Sequence, residues 1–83
     1  MTELEVQAQS QLIAIEQIYG IRIENRDHIA RQIGEKAGDR RQVLTICTAL
    51  NSWVAANGRK ALAIPQEVLE PLFFLIEWQG KNV

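Results

Sequence analysis

One long stretch of the sequence has no charged side chain, and it constrains the fold more than any other feature. In residues 43–58, with 100° of rotation per residue, the large apolar side chains fall on one broad face. These are Val43, Ile46, Cys47, Leu50, Trp53 and Val54. Asp39 is a favourable N-cap, and Gln42 completes a capping box. Residues 57–58, Asn-Gly, tolerate a left-handed helix end. We therefore predict that residues 39–58 form the longest and most buried helix.

The residues before this stretch predict two more helices. The first covers residues 2–19, with Thr2 as its cap and Gly20 as its end. The second covers residues 26–37, with Asn25 as its cap and Gly38 as its end. Residues 21–24 alternate apolar and polar side chains and predict an extended connector. Gly34 inside the second helix costs about 1 kcal/mol of helix propensity, so we expect a close backbone contact there.

A fourth helix is predicted at the end of the chain. Proline is favourable in a first helical turn, so this helix should begin near Pro65 and reach residue 78 or 79, with Gly80 as its end. Pro71 lies inside it and either kinks or divides it. The predicted fold class is all-α, a small single-domain four-helix bundle with a central uncharged third helix. The length of 83 residues fits one helical domain over residues 1–83.

Composition limits the cellular compartments and the classes of partner that fit this chain. The formal net charge of −1 gives no overall attraction to nucleic acid or anionic lipid. One cysteine excludes an internal disulfide and fits a reducing compartment. The first nine residues are acidic and polar, unlike a signal peptide, and no apolar run is long enough to span a bilayer. We expect a cytoplasmic protein without a membrane partner.

The sequence offers few residues for catalysis, so we expect no enzyme activity, no catalytic residues, no cofactor and no metal site. Cys47 lies in the middle of the apolar face of the third helix, where a cysteine is usually inert. His28 lies in the first turn of the second helix and is expected at the surface. One histidine and one cysteine do not complete a tetrahedral metal site without further ligands.

Two segments carry more apolar residues than a short bundle needs. Val6 and Ile13 lie one heptad apart, nearly opposite the main apolar stripe of the first helix. Phe74 intrudes near the polar side of the fourth helix, and Trp78 adds to its dense apolar set. We predict these four residues as the contact residues of a small protein–protein interaction module, a homodimer or a subunit of a larger assembly. Alternatively, Val6 and Ile13 are isolated surface residues.

Residues 30–49 resemble the helix-turn-helix family of DNA-binding domains. The turn glycine is then Gly38, and Gly34 takes the position where only a small side chain lets the helices cross. The packing positions of the family fall on Ile33, Ala37, Leu44 and Cys47. Ile46 would face the DNA, which departs from the pattern of the family.

The resemblance implies a DNA-binding surface at the start of the third helix. The positions that face the major groove in the family fall on Arg40, Arg41, Gln42 and Thr45. Arginine and glutamine are suitable base-reading side chains. A helix-turn-helix DNA-binding regulator is therefore the alternative function. Residues 59–82 also resemble the strand and first helix of a ribbon-helix-helix repressor, without the second helix of that family.

Overall fold

Four helices and two very short strands make up most of the described chain. The computed structural model describes residues 2–59 and 61–81, with the side chains of residues 2–59 and 62–77. The helices are α1 (Glu3–Tyr19), α2 (Arg26–Lys36), α3 (Arg40–Asn57) and α4 (Gln66–Lys81). The strands are β1 (Arg22–Ile23) and β2 (Ala61–Leu62). The predicted all-α class with four helices is confirmed.

The ends of α1 follow the sequence signals. The Thr2 hydroxyl oxygen accepts a hydrogen bond from the Glu5 backbone N–H at 3.1 Å. At the other end Gly20 adopts the left-handed conformation, with φ of 62°. A side chain is strained in that conformation, so glycine is the residue that ends the helix without cost. Both predicted ends of α1 are confirmed.

Asn25 does not cap α2 with its side chain, so that prediction was wrong. Its Nδ2 donates to the Ile64 carbonyl oxygen at 2.9 Å, and its Oδ1 accepts from the Ile64 backbone N–H at 3.0 Å. A carboxamide offers one donor side and one acceptor side, so it matches both groups of one backbone residue. The side chain therefore ties the start of α2 to the segment in front of α4.

The same segment pairs with the predicted connector. β1 and β2 are parallel, with Arg22 opposite Ala61 and Ile23 opposite Leu62. The Glu24 backbone N–H extends the contact by donating to the Leu62 carbonyl oxygen at 2.8 Å. The predicted extended connector is confirmed for Arg22 and Ile23, which form a strand with a partner far along the chain, whereas Glu24 begins a turn.

The caps of α3 differ from the prediction in detail. The Asp39 carboxylate accepts from the Gln42 backbone N–H at 2.9 Å, as predicted. The Gln42 side-chain oxygen accepts from Gly38 at 2.6 Å, one residue before the cap. The prediction of a left-handed end for α3 was wrong, because Gly58 is extended with φ of −66° and ψ of 142°. Beyond Gly58 the chain continues toward β2. An extended conformation at Gly58 allows this direction, whereas a left-handed conformation would turn the chain back.

Pro71 neither divides α4 nor ends it. The helix runs from Gln66 to Lys81 with Pro71 inside, past the predicted end at Gly80. Proline has no N–H to bond the carbonyl of Glu67, four residues earlier. Glu67 is exposed, so water can satisfy that carbonyl.

The buried side chains form one core with members from all four helices and from the segment that Asn25 holds. The largest fully buried residues are Leu12, Ile29, Ile33, Val43, Ile46, Leu50, Val54, Ile64 and Leu69. Helix α1 packs on both α2 and α3, and α3 also packs on α4. The predicted apolar face of α3 is buried, with Trp53 partly buried. The opposite face of α3, with Thr48, Ser52 and Ala55, is exposed to solvent.

Helices α1 and α2 are antiparallel and lie very close together. Glu5 near the start of α1 faces Gly34 late in α2, and Glu16 near the end of α1 faces Arg26 at the start of α2. A Cβ atom added at Gly34 would lie 2.8 Å from the Glu5 Cβ and 3.0 Å from its Cα. The predicted close backbone contact at Gly34 is confirmed, and its partner is α1.

Candidate interaction surfaces

The predicted contact residues of α1 lie on its outer face. Val6 is 52% exposed and Ile13 is 37% exposed. Ser10 and Gln17 are exposed beside them, while the opposite stripe of α1 is buried. We call Val6 and Ile13 the α1 face. Its apolar groups are surrounded by small or polar side chains that leave them open to a neighbour.

The outer side of α4 is more strongly apolar. Phe74 is 65% exposed and Leu75 is 48% exposed, and Pro71 beside them is also exposed. Phe74 borders a groove of about 340 Å³ between α2 and α4, whose walls include Gln32 and Lys36. The side chain of Trp78, the fourth predicted contact residue, lies outside the described residues.

The structure places Val6 and Phe74 on two different surfaces. The groove beside Val6 is lined by residues of α1 and by Arg40 of α3. The described lining of the groove beside Phe74 belongs to α2 and α4. Val6 and Phe74 therefore do not share one groove. Leu75 is not among the predicted contact residues, although its exposure is close to that of Val6.

Two of the four predicted DNA-reading side chains are hydrogen-bonded within the protein. Arg40 and Arg41 are exposed at the start of α3. The Gln42 side chain is engaged with Gly38, and the Thr45 hydroxyl donates to the Arg41 carbonyl oxygen at 3.0 Å. Two of the four side chains thus complete local hydrogen bonds of the helix start, which leaves the two arginines as the accessible charged groups.

The packing that the helix-turn-helix resemblance implies is present at three of its four apolar positions. Ile33, Ala37 and Cys47 are buried. Leu44, which should pack the two helices together, is 42% exposed, so that prediction was wrong.

Two further positions depart from the resemblance. Ile46, which should face the DNA, is 1% exposed, so that expectation was also wrong. Gly34 makes room for Glu5 of α1, although the resemblance assigns its small size to the crossing of α2 and α3. Helix α3 is therefore turned so that its Val43–Ile46–Leu50 side faces the core and its Leu44 side faces solvent.

Cys47 and His28 are the two side chains considered above for catalysis. Cys47 is 3% exposed, and burial raises the pKa of its thiol from 9.0 to about 12. His28 is exposed as predicted, with its Nε2 3.1 Å from the Gln32 side-chain nitrogen. Within the described residues, no three histidine, cysteine or acidic side chains come together as metal ligands would.

A polar cluster between α1 and α2 was missed by the sequence reasoning. Glu16 accepts from Arg26 Nη1 at 2.6 Å with one oxygen and from the Ile23 backbone N–H at 2.8 Å with the other. Gln9 accepts from Arg26 Nε at 3.0 Å and donates to Asp27 at 2.6 Å. These bonds hold β1 and α2 against α1, so the cluster is structural. No sequence pattern pairs these residues, because they lie ten or more positions apart in most cases.

None of the described helices combines the length and the apolar composition that a membrane crossing needs. Comparison with protein-family models, with curated proteins and with solved structures finds no match to this chain.

Proposed function

We propose that this protein is a small helical protein–protein interaction module that acts as a homodimer or as a subunit of a larger assembly, without catalytic activity of its own. The observation that carries the proposal is the exposure of large apolar side chains on the outer faces of α1 and α4. Phe74 is more than half exposed, while the core side chains are almost completely covered. Large apolar side chains exposed on the outer face of a helix are typical of protein contact sites.

The composition of the core supports the same proposal. The buried side chains form one apolar cluster, and neither Val6 nor Phe74 belongs to it or to the partly buried residues packed against it. Phe74 and Val6 are therefore surplus to the fold, and covering them by a partner would be favourable by about 25 cal/mol per Å² of apolar area. The proposal places the protein in the cytoplasm, because its single cysteine fits a reducing compartment.

The test is the mass in solution, measured by light scattering over a wide range of concentrations. The combined variant Val6→Asp, Ile13→Asp and Phe74→Asp should keep its helical circular dichroism and lose association by at least about tenfold, since buried unpaired carboxylates are costly. Ser52→Asp, which adds a carboxylate at an exposed residue of α3, controls for added charge.

The experiment distinguishes the contribution of the α1 face from that of the exposed side of α4. If Val6→Asp with Ile13→Asp leaves both fold and association unchanged, the α1 face is not an interface. If the combined variant still associates like the natural chain, the apolar faces do not carry the function. If the natural chain is a monomer, the same variants are compared for loss of a captured protein, which requires no self-association.

Binding of DNA is the second candidate, and the exposed Arg40 and Arg41 at the start of α3 favour it. Anisotropy titrations with duplex DNA at two salt concentrations test it, because binding through phosphates weakens steeply with salt. Arg40→Ala with Arg41→Ala should abolish binding while the fold stays intact. An absence of binding at low salt would eliminate this candidate.

A further inference from the structure

Two outer surfaces of the protein carry opposite charge around an exposed apolar side chain. The first is on α4, where Glu67, Glu70 and Glu77 are exposed together with Phe74. Glu70 precedes Phe74 by four residues and Glu77 follows it by three, so the carboxylates flank the ring along one stripe of the helix. Residues 66–77 contain no basic side chain, and Lys36 of α2 is the one basic residue that lines the groove beside Phe74 among the described residues. We call these four residues the acidic face.

The second surface is at the start of α3. Arg40 and Arg41 are exposed, and they precede Leu44 by four and three residues, positions that neighbour it on the surface of a helix. Leu44 is 42% exposed. We call these three residues the basic face. Its apolar centre and charged surround mirror those of the acidic face with the sign reversed.

The charged side chains of both faces make no ion pair with another described residue of the fold. In the described part of the chain, the ion pairs are made by Arg26, with Glu16 and Asp27. Glu3 lines the same groove as Arg40 but does not come within ion-pair distance of it. The acidic face and the basic face lie on different helices and carry opposite charge, and such complementary charges favour contact between copies.

We infer that the basic face of one copy of this chain docks on the acidic face of a second copy. Phe74 of one copy and Leu44 of the other form the apolar centre of the contact, and the two arginines lie opposite the carboxylates. The inference rests on the proposed interaction function and names its partner and its surfaces. A second copy is the occupant that the charges favour, because the same molecule presents both complementary surfaces.

The contact joins unlike surfaces, so it is heterologous. Such a contact leaves a free basic face at one end of a pair and a free acidic face at the other, and it continues into a ring or an open chain. The apolar centre supplies affinity, whereas the charges mainly set orientation and the rate of encounter. Association should therefore weaken with salt without vanishing.

The test uses two variants that each block one face. Leu44→Asp removes the basic face and leaves the acidic face intact, and Phe74→Asp does the reverse. Both residues are exposed, so both variants should keep the helical circular dichroism of the natural chain. Each variant alone should be a monomer, with the dissociation constant raised at least about 30-fold, as for an interface hot spot.

An equimolar mixture of the two variants is the decisive sample. The acidic face of the Leu44→Asp chain can still bind the basic face of the Phe74→Asp chain, so light scattering should show a 1:1 dimer that grows no further. Arg40→Glu with Arg41→Glu blocks the basic face a second way, at exposed positions where acidic residues suit a helix start. It should also form the 1:1 dimer with Phe74→Asp.

Other results would overturn the inference, and they differ from a failure of the proposed function. If the natural chain associates and the mixture stays monomeric, the contact does not join these two faces, although self-association stands. If Val6→Asp with Ile13→Asp abolishes association while Leu44→Asp and Phe74→Asp do not, the α1 face carries the contact instead. A monomer at every concentration overturns the inference and the homodimer form of the proposed function together.

Discussion

Replacing Gly34 by alanine should destabilise this protein, although alanine is the better helix former. On helix propensity alone, the change inside α2 would stabilise the fold by about 1 kcal/mol. The structure predicts the opposite sign. The new methyl group would lie 2.8 Å from the Glu5 Cβ and 3.0 Å from both its backbone nitrogen and its Cα.

The cost follows from which atoms are in the way. The Glu5 backbone does not move as a flexible side chain does, so α1 as a whole must shift away from α2. Overpacking of this kind costs about 1–3 kcal/mol, and the involvement of backbone atoms favours the upper part of that range. The shift also strains the contact between Arg26 and Glu16 farther along the same pair of helices. After the gain of about 1 kcal/mol in helix propensity is subtracted, we expect the free energy of unfolding to fall by about 1–2 kcal/mol.

Urea unfolding followed by circular dichroism measures the effect. With a slope of about 1 kcal/mol per molar urea for a small domain, the midpoint should fall by roughly 1–2 M. Gly38→Ala is the matched control, because its methyl group would meet only the flexible Gln42 side-chain oxygen at 3.3 Å, and its stability should change by less than about 0.5 kcal/mol. A Gly34→Ala chain as stable as the natural one, with the control unchanged, would refute the close packing of α1 on α2.

Three further predictions test other contacts. Asn25→Ala should cost about 2–4 kcal/mol of unfolding free energy, since it leaves both backbone groups of Ile64 unpaired. The exposed Asn57→Ala should cost under about 0.5 kcal/mol, and equal losses would contradict the link between the start of α2 and the segment in front of α4. Asp39→Ala should cost about 1 kcal/mol by removing the cap of α3, and an unchanged urea midpoint would argue against it. The Cys47 pKa of about 12, against 9.0, implies about 1,000-fold less thiolate at pH 8 in the folded chain, so a thiol reagent should react mainly after unfolding. Above pH 9 the unfolded chain releases this proton and the folded chain retains it, so stability should fall as the pH rises toward 12, and stability that is flat or rising there would contradict the burial of the thiol.

The candidate surfaces were only partly accessible to sequence reasoning. Phe74 stands out in the sequence because a large aromatic residue interrupts a side of the helix that carries carboxylates. Leu44 does not stand out, because it lies at the margin of the apolar stripe of α3, and the helix-turn-helix resemblance assigned it to the interior. A rotation of α3 by a fraction of a turn decides whether Leu44 or Ile46 is buried, and only the neighbouring helices fix that rotation.

Local chemistry determined the helices of this protein. Thr2 and Asp39 satisfy the free N–H groups of their own helix starts, and Gly20 accepts a left-handed turn, so these ends can be read within a few residues of sequence. The burial of the apolar face of α3 follows in the same way from its 3.6-residue period.

Contacts between distant residues decided the rest. Asn25 is a plausible cap in sequence, but the backbone of Ile64, 39 residues away, offers its carboxamide two hydrogen bonds where the cap offers one. Gly58 has the composition of a left-handed end, yet the chain must continue straight to pair β2 with β1. Local sequence preferences separate the alternative conformations of a short segment by about 1 kcal/mol of free energy. A tertiary contact that contributes a similar free energy is enough to reverse which conformation is preferred.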